Sequence, residues 1–182
     1  MEAFGGAVLT GGQSRRMGRD KALVAVDGVP MVLRVAAALH AAGAAEVHAV
    51  GGDRAALVAL GLDALDDPRQ GEGPLGGLLT ALDLAGPDLT VVLATDLAWI
   101  DAGTIAQLVV AAATAPVAVA RTDRLEPLCA AWRRSRCAAP LAAAYAGGER
   151  AVHRALAILD HVAVTVSPRA VANANTPADL HR

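Results

Sequence analysis

Gly11, Gly12 and Gly18 are interleaved with Arg15, Arg16 and Lys21, directly after the apolar run Ala7-Val8-Leu9. Glycines let backbone N–H groups approach phosphate oxygens, and arginine and lysine supply charge for a triphosphate. Leu9, Gly11, Gly12, Ser14, Arg15, Arg16, Gly18 and Lys21 are therefore candidates for holding a nucleotide. The loop is not a Walker A motif, because Gly18 is followed by Arg19 rather than Lys. Farther along, Thr90-Val-Val-Leu-Ala-Thr95 is an apolar run ending in Asp96. Mg²⁺ is bound to nucleotides through one or two carboxylates plus phosphate oxygens, so a single aspartate at a strand end suffices. Asp96 is the candidate metal ligand, with Mn²⁺ as the alternative ion, and Lys21, Arg16 and Asp96 form the expected catalytic set.

Two further stretches carry polar groups after apolar runs. The first is Asp66-Asp67-Pro68-Arg69-Gln70-Gly71-Glu72-Gly73-Pro74-Leu75-Gly76. It contains a literal G-x-G-x-x-G at Gly71, Gly73 and Gly76, with Asp96 twenty residues later. A dinucleotide reading is set aside, because five residues separate these glycines from the strand and two carboxylates would repel a pyrophosphate. The second is Asn173-Ala-Asn175-Thr-Pro, where alternate asparagines point the same way along an extended chain and each amide can donate and accept.

In order and residue type, L-x-G-G-x-x-x-R-M-G-x-D-K at Leu9–Lys21 resembles the N-terminal signature of the molybdenum cofactor guanylyltransferase family. The acid–G-P-L-x-G and N-x-N-T-P segments follow in the family's order. The resemblance implies a Mg²⁺-dependent nucleotidyltransferase that moves GMP from GTP onto molybdopterin and releases pyrophosphate. It implies that Asp66 or Asp67 reads the guanine ring, with Gly73, Pro74 and Leu75 starting a helix beside the nucleotide. It places Asn173, Asn175 and, through the segment Gly147-Gly148-Glu149-Arg150, Arg150 on the molybdopterin side. Proteins that deliver the cofactor, or molybdoenzymes that accept it, are the further partners it suggests. The chain departs from the family's Cys-Asp-x-Pro pattern, carrying Thr95 and Ala98 around Asp96. Alternatives are a relative using CTP or a sugar phosphate, and a non-catalytic nucleotide- or cofactor-binding module. Gly11-Gly12 favours the guanylyl branch over the Ala-Gly of cytidylyl relatives.

The elements that position these residues follow from periodicity. Apolar runs at 7–9, 47–50, 62–65, 90–94, 117–120, 128–132 and 162–166 read as strands. Helical patterns lie between most of them, at 31–42, 53–60, 75–85, 104–113, 141–145 and 150–159, with Asp101 as a helix N-cap. Alternation of this kind predicts a single α/β domain, a Rossmann-like three-layer sandwich with a mostly parallel, mixed sheet. No helix separates the runs at 117–120 and 128–132, so a hairpin is expected there. The nucleotide half is expected to span about 1–100 and the molybdopterin half about 101–182.

At 182 residues the chain is long enough for one full core. It is 54% hydrophobic but 2% aromatic, so Ala, Val and Leu must fill that core. A net charge of −2 gives no footprint for nucleic acid, and the basic charge is local to residues 15–21. Apolar stretches are broken well short of a membrane span, and a strand begins almost at once with no leader pattern. A cytoplasmic protein without membrane contact is expected. Cys129 and Cys137 lack metal or redox spacing and read as reduced structural thiols.

Overall fold

The computed structural model describes residues 2–11, 21–84 and 86–174. The chain runs β1 (Phe4–Leu9), a 3₁₀ turn at Lys21–Leu23, β2 (Ala25–Val26), β3 (Val29–Pro30), α1 (Met31–Ala41), β4 (Val47–Val50), α2 (Arg54–Ala59) and β5 (Asp63–Leu65). It continues through α3 (Pro74–Leu82), β6 (Leu89–Ala94), α4 (Ala102–Ala111), β7 (Val117–Arg121), β8 (Leu125–Arg133), α5 (Arg134–Ala146), α6 (Val152–Leu156) and β9 (His161–Thr165). Seven strands form one sheet in the order β5-β4-β1-β6-β8-β7-β9. β8 runs against β6 and β7, and the other pairings are parallel. The mixed α/β domain and the hairpin expected from the sequence are both present.

Side chains of alternate strand residues feed two cores, one on each face of the sheet. Val8, Val91 and Leu93 pack with Leu39, Leu57, Ile105 and Leu108 beneath α1, α2 and α4. Ala7, Leu9 and Val92 pack with Leu78, Leu82, Trp132, Leu141 and Leu156 beneath α3, α5 and α6. Trp132 is fully buried and supplies the bulk that an alanine-rich chain otherwise lacks. Asp101 caps α4 by accepting from the Thr104 N–H at 2.8 Å. Cys129 and Cys137 are unbridged and buried, and burial pushes their thiols up to about 12 and about 11, which makes them inert packing groups. Among the described residues no helix is long and apolar enough to cross a membrane.

Two elements differ from the pattern reading. The β2–β3 hairpin was not expected, since two residues per strand carry no periodicity. α5 begins at Arg134 rather than 141, and Pro140 inside it disguises the helix.

The chain order makes the site. From β1 it steps outward to β4 and β5, then returns across the sheet to β6 on β1's other side. The strand order reverses between β1 and β6, and ligands of such sheets bind at the carboxyl ends on either side of that reversal.

Candidate active site

β1 ends in Thr10-Gly11 and β6 ends in Thr95-Asp96, and Thr95 N–H donates to Leu9 C=O at 3.2 Å across the reversal. Thr10 is buried, and its hydroxyl donates toward the carbonyls of Val50 (3.0 Å) and Gly51 (2.7 Å), tying the ends of β1 and β4 together. Gly51 has φ +78°, and a Cβ there would sit 3.3 Å from the Gly11 backbone. Only glycine permits that approach. The turn brings two glycine segments together beside the strand ends, a contribution sequence reading missed because Gly51-Gly52 resembles an ordinary helix approach.

Lys21 opens the 3₁₀ turn that follows the glycine-rich loop, and its Nζ lies 2.8 Å from Asp96 Oδ2. Both side chains are about one-fifth exposed, at 19% and 22%. At this depth an ion pair is screened less than at the surface. Two residues predicted from separate motifs thus meet at the topological switch point. The hydroxyl of Thr95, the residue before Asp96, is buried with no hydrogen-bond partner among the described residues. Gly12, Ser14, Arg15, Arg16 and Gly18 lie outside the described residues.

After β5 the two acids diverge. Asp66 is exposed, and its nearest cation among the described residues is Arg54 at 3.9 Å. Asp67 is half-buried; Oδ1 accepts from the Arg69 N–H (2.9 Å) and the Thr80 hydroxyl (2.7 Å). Those two bonds fix the carboxylate against α3. Its other oxygen, Oδ2, would lie 3.7 Å from a Cβ on Gly77, and its Cβ 3.5 Å from one on Gly51. Asp67 therefore lies between α3 and the Gly51 turn at the end of β4, whereas Asp66 is exposed beside Arg54.

Gly73 adopts φ +92° as the N-cap of α3, and Pro74 follows in the first turn. A Cβ on Gly73 would lie 3.0 Å from the Arg150 carbonyl, which accepts the Leu75 N–H at 3.1 Å. The turn is thus docked on the segment before α6. The Arg150 side chain is engaged there as well: its guanidinium sits 4.1 Å over the Tyr145 ring and donates to the Tyr145 and Glu149 carbonyls at 2.7 and 2.8 Å. The Glu72 carboxylate, 3.5 Å from Arg150, accepts from the Tyr145 hydroxyl.

On the far side of Asp96 lies a cavity of about 280 Å³. Its wall is apolar where Pro74, Ala94, Leu97, Leu128 and Val152 meet, and its polar groups are Asp96, Glu126, His153 and Asn173. Asn173 reaches it because the Ala174 N–H donates to Asp96 C=O at 3.0 Å and the Ala174 side chain is buried among Val26, Met31 and Ala98. Asn175 lies outside the described residues. Glu126, Pro127, Leu128 and His153 were not foreseen. Glu126–Leu128 enters through an irregularity of β8, where Val119 pairs with Ala130 but Ala120 pairs with Glu126. That extra length bends the strand start over the cavity and leaves no sequence signature.

A family model described as the MobA-like NTP transferase domain matches residues 6–162. The chain belongs to that family. MobA-like relatives include the molybdenum cofactor guanylyltransferase of Rhodobacter capsulatus, 37% identical over 97% of this chain and 93% of that one. The probable molybdenum cofactor guanylyltransferase of Natronomonas pharaonis is 31% identical over 97% of this chain and 95% of its own. The crystal structure of molybdopterin-guanine dinucleotide biosynthesis protein A from Archaeoglobus fulgidus superposes with a TM-score of 0.77. It is 26% identical and covers 96% of this chain and 94% of that one. The site of this MobA-like chain has glycine turns on one side of a Lys–Asp pair and a cavity on the other.

Proposed function

We propose that this chain transfers GMP from GTP to molybdopterin. The observation that carries the reading is the Lys21–Asp96 pair at 2.8 Å, set between the glycine turns and the 280 Å³ cavity. A transferase needs two substrates to meet at one phosphorus, and this arrangement gives each a side. The nucleotide half, about 1–100, supplies the loop, Lys21, Asp67 and the Gly73-Pro74-Leu75 turn, and the half after 101 supplies most of the cavity.

In the reaction a phosphate oxygen of molybdopterin attacks the α-phosphorus of GTP. The new P–O bond forms as the bond to the bridging α–β oxygen breaks, and pyrophosphate leaves with its electron pair. Alignment and charge neutralisation dominate such steps. Lys21, released from Asp96 by a bound triphosphate, places its ammonium where charge collects on the departing pyrophosphate. Arg15, Arg16 and the N–H groups of the glycine loop hold the remaining phosphate oxygens. Asp67 accepts the paired N–H groups of guanine.

Asp96 fits a divalent ion of the Mg²⁺ type, with Mn²⁺ as the alternative. Its carboxylate is partly exposed at a strand end and already placed by a cation. Among the described residues no three His, Cys, Asp or Glu side chains cluster, which suits an ion held jointly by one carboxylate and substrate phosphates. When bound, such an ion supplies charge stabilisation to the phosphoryl oxygens. Thr95 and Ala98, in place of the family's Cys and Pro, keep Asp96 at the strand end, since the Leu97 N–H still closes a turn onto Ala94 C=O at 3.2 Å. We place the reaction in the cytoplasm, with cofactor-delivery or acceptor molybdoenzyme proteins taking up the product.

The test is a panel of ATP, GTP, CTP and UTP with Mg²⁺ and molybdopterin, scored for pyrophosphate release. Release with GTP alone supports the reading; equal turnover of all four, or release that needs no molybdopterin, removes it.

A further inference from the structure

We propose that Glu126 is the specificity-determining residue for the acceptor, taking the N–H and 2-amino groups of its pterin ring. The proposal rests on the transfer reading above. A pterin and a guanine share one hydrogen-bonding edge: a ring N–H beside an exocyclic amino group. A carboxylate is the side chain that accepts from both at once, because ionised Glu offers two oxygens with about four lone-pair sites and no donor. The sequence supplies such an acid on the nucleotide side. The structure supplies a second one on the other side of Asp96.

Among the described residues four polar side chains line the cavity, and they are not equivalent. Asp96 is held by Lys21 and sits at the strand end where the phosphates meet. Asn173 and His153 each carry donors as well as acceptors and cannot match an all-donor edge as closely. Glu126 alone is an acceptor away from the phosphate centre. Its side chain is 18% exposed, so it is largely withdrawn from water. Arg124 Nε donates to its Oε1 at 2.8 Å, which fixes the carboxylate and leaves Oε2 and a lone pair of Oε1 for a ligand.

The surroundings match the same ring. Pro127 and Leu128 follow Glu126 along the cavity wall, and Pro74, Leu97 and Val152 complete an apolar slot. A flat bicyclic ring with one polar edge needs apolar faces and an acceptor at its rim. The volume, about 280 Å³, is near the lower end of small-molecule sites, roughly 300 Å³. It accommodates a pterin head group and leaves the acceptor's phosphate to reach Asp96. The β8 irregularity is what brings Glu126 to this wall: it pairs Glu126 with Ala120 and lets Pro127 and Leu128 arch over the space beside β6.

Glu126→Gln tests this directly, since the amide keeps the size and loses two-point acceptance. KM for molybdopterin should rise about 10–100-fold, the range for unpairing buried donors from a charged acceptor. The kcat should stay within about threefold and GTP affinity should not change, because Glu126 touches neither the phosphates nor the purine side. Arg124→Gln, which frees Glu126 without removing it, should raise the same KM only about threefold, as expected of a positioning residue. A second readout avoids turnover: fluorescence titration of the protein with 6-hydroxymethylpterin should show binding that Glu126→Gln weakens in parallel. Unchanged KM and unchanged pterin titration in Glu126→Gln overturn the proposal. So does a variant whose GTP affinity and melting temperature fall together with the KM effect. A wild-type chain that binds the pterin through Glu126 but forms no guanylyl product keeps the proposal and removes the transfer reading instead.

Discussion

On the nucleotide side of Asp96, parallel strands stop together and hand over to glycine turns, whereas on the acceptor side one antiparallel strand, β8, bends across the opening. Thr10, Gly11, Gly51 and Asp67 follow strands that all point toward the site, so each contributes the first residues of its own loop. Glu126–Leu128 instead precedes the main run of β8, because that strand enters the sheet from the site. Glycine turns mark one flank, together with the Lys21 and Asp67 side chains, and a side-chain wall forms the other. In the function proposed above, the triphosphate, alike in every nucleotide, lies against the glycine turns and Lys21, while the particular acceptor lies against side chains on a less regular wall. Asp96 is the boundary, and substitutions should sort by which flank they disturb.

The largest effect is expected at the boundary itself. Asp96→Asn should bring transfer to background even at saturating Mg²⁺, because it removes the carboxylate from the strand end. The melting temperature should hardly move, since Asp96 is a partly exposed side chain whose backbone bonds to Ala174 remain. Turnover like that of the wild type would make Asp96 a turn residue and erase the division into flanks.

Lys21→Ala comes next. Its Nζ is 2.8 Å from Asp96, close enough to follow charge that develops as pyrophosphate leaves. Loss of one positioned charge donor should lower kcat by about two to three orders of magnitude. GTP affinity should fall far less, and Lys21→Arg should rescue only in part because a planar fork is not a compact ammonium. Single-turnover rates against the GTP dissociation constant decide it. Collapse of binding with a normal rate at saturation would move Lys21 from the boundary into the nucleotide flank.

How much of this was legible in the sequence differs between the flanks for the same reason. Asp96 stands two residues past a strand end, and Lys21 and the acid–Gly-Pro-Leu turn lie in the glycine-rich loops that follow β1 and β5, so short local patterns expose them. The sheet was legible from the apolar runs, and its layering from the helical patterns between them. Glu126, His153 and the docking of Gly73 on Arg150 join residues tens of positions apart, and only the register of β8 and the start of α6 brings them together. Nor could spacing choose between Asp66 and Asp67; the choice proposed here rests on Thr80, nearly two turns into α3, and the Arg69 N–H, two residues downstream.

That choice gives the third expectation. Asp67→Asn should remove most of the preference for GTP over ATP and CTP, a difference of about 2–4 kcal/mol for paired hydrogen bonds to a charged acceptor. Asp66→Asn should leave it intact, since that side chain is exposed and turned toward Arg54. Calorimetry on both variants sharpens the comparison, because acceptor affinity should be unchanged in each. Should Asp66→Asn carry the loss instead, the base lies outside the glycine turns.

The smallest effect is expected on the acceptor flank, at Glu149. Its Oε1 accepts the N–H groups of Arg150 and Ala151, both at 2.7 Å, and Arg154 donates to both oxygens at 2.7 and 2.8 Å. These bonds anchor the start of α6, whose first residues form the cavity wall. The Arg154 hydrogen bond, more than any other partner, lowers the Glu149 carboxyl from its ordinary 4.5 to about 2. A carboxyl with a depressed pKa in the folded chain contributes stability above its unfolded value, and loses that contribution as pH falls through the folded one. The window here runs from about pH 4.5 down to about pH 2. Glu149→Gln has no proton to gain, so its melting temperature should fall less steeply than that of the wild type across this window, from a slightly lower starting point at pH 7. At neutral pH the variant should raise the molybdopterin KM only about two- to threefold and leave GTP affinity alone, as one partly exposed anchor among several would. Parallel melting curves from pH 6 to pH 3 would show that Glu149 does not brace α6. A fall in GTP affinity would show that the acceptor wall and the nucleotide turns move as one body, through the contact of Gly73 with Arg150.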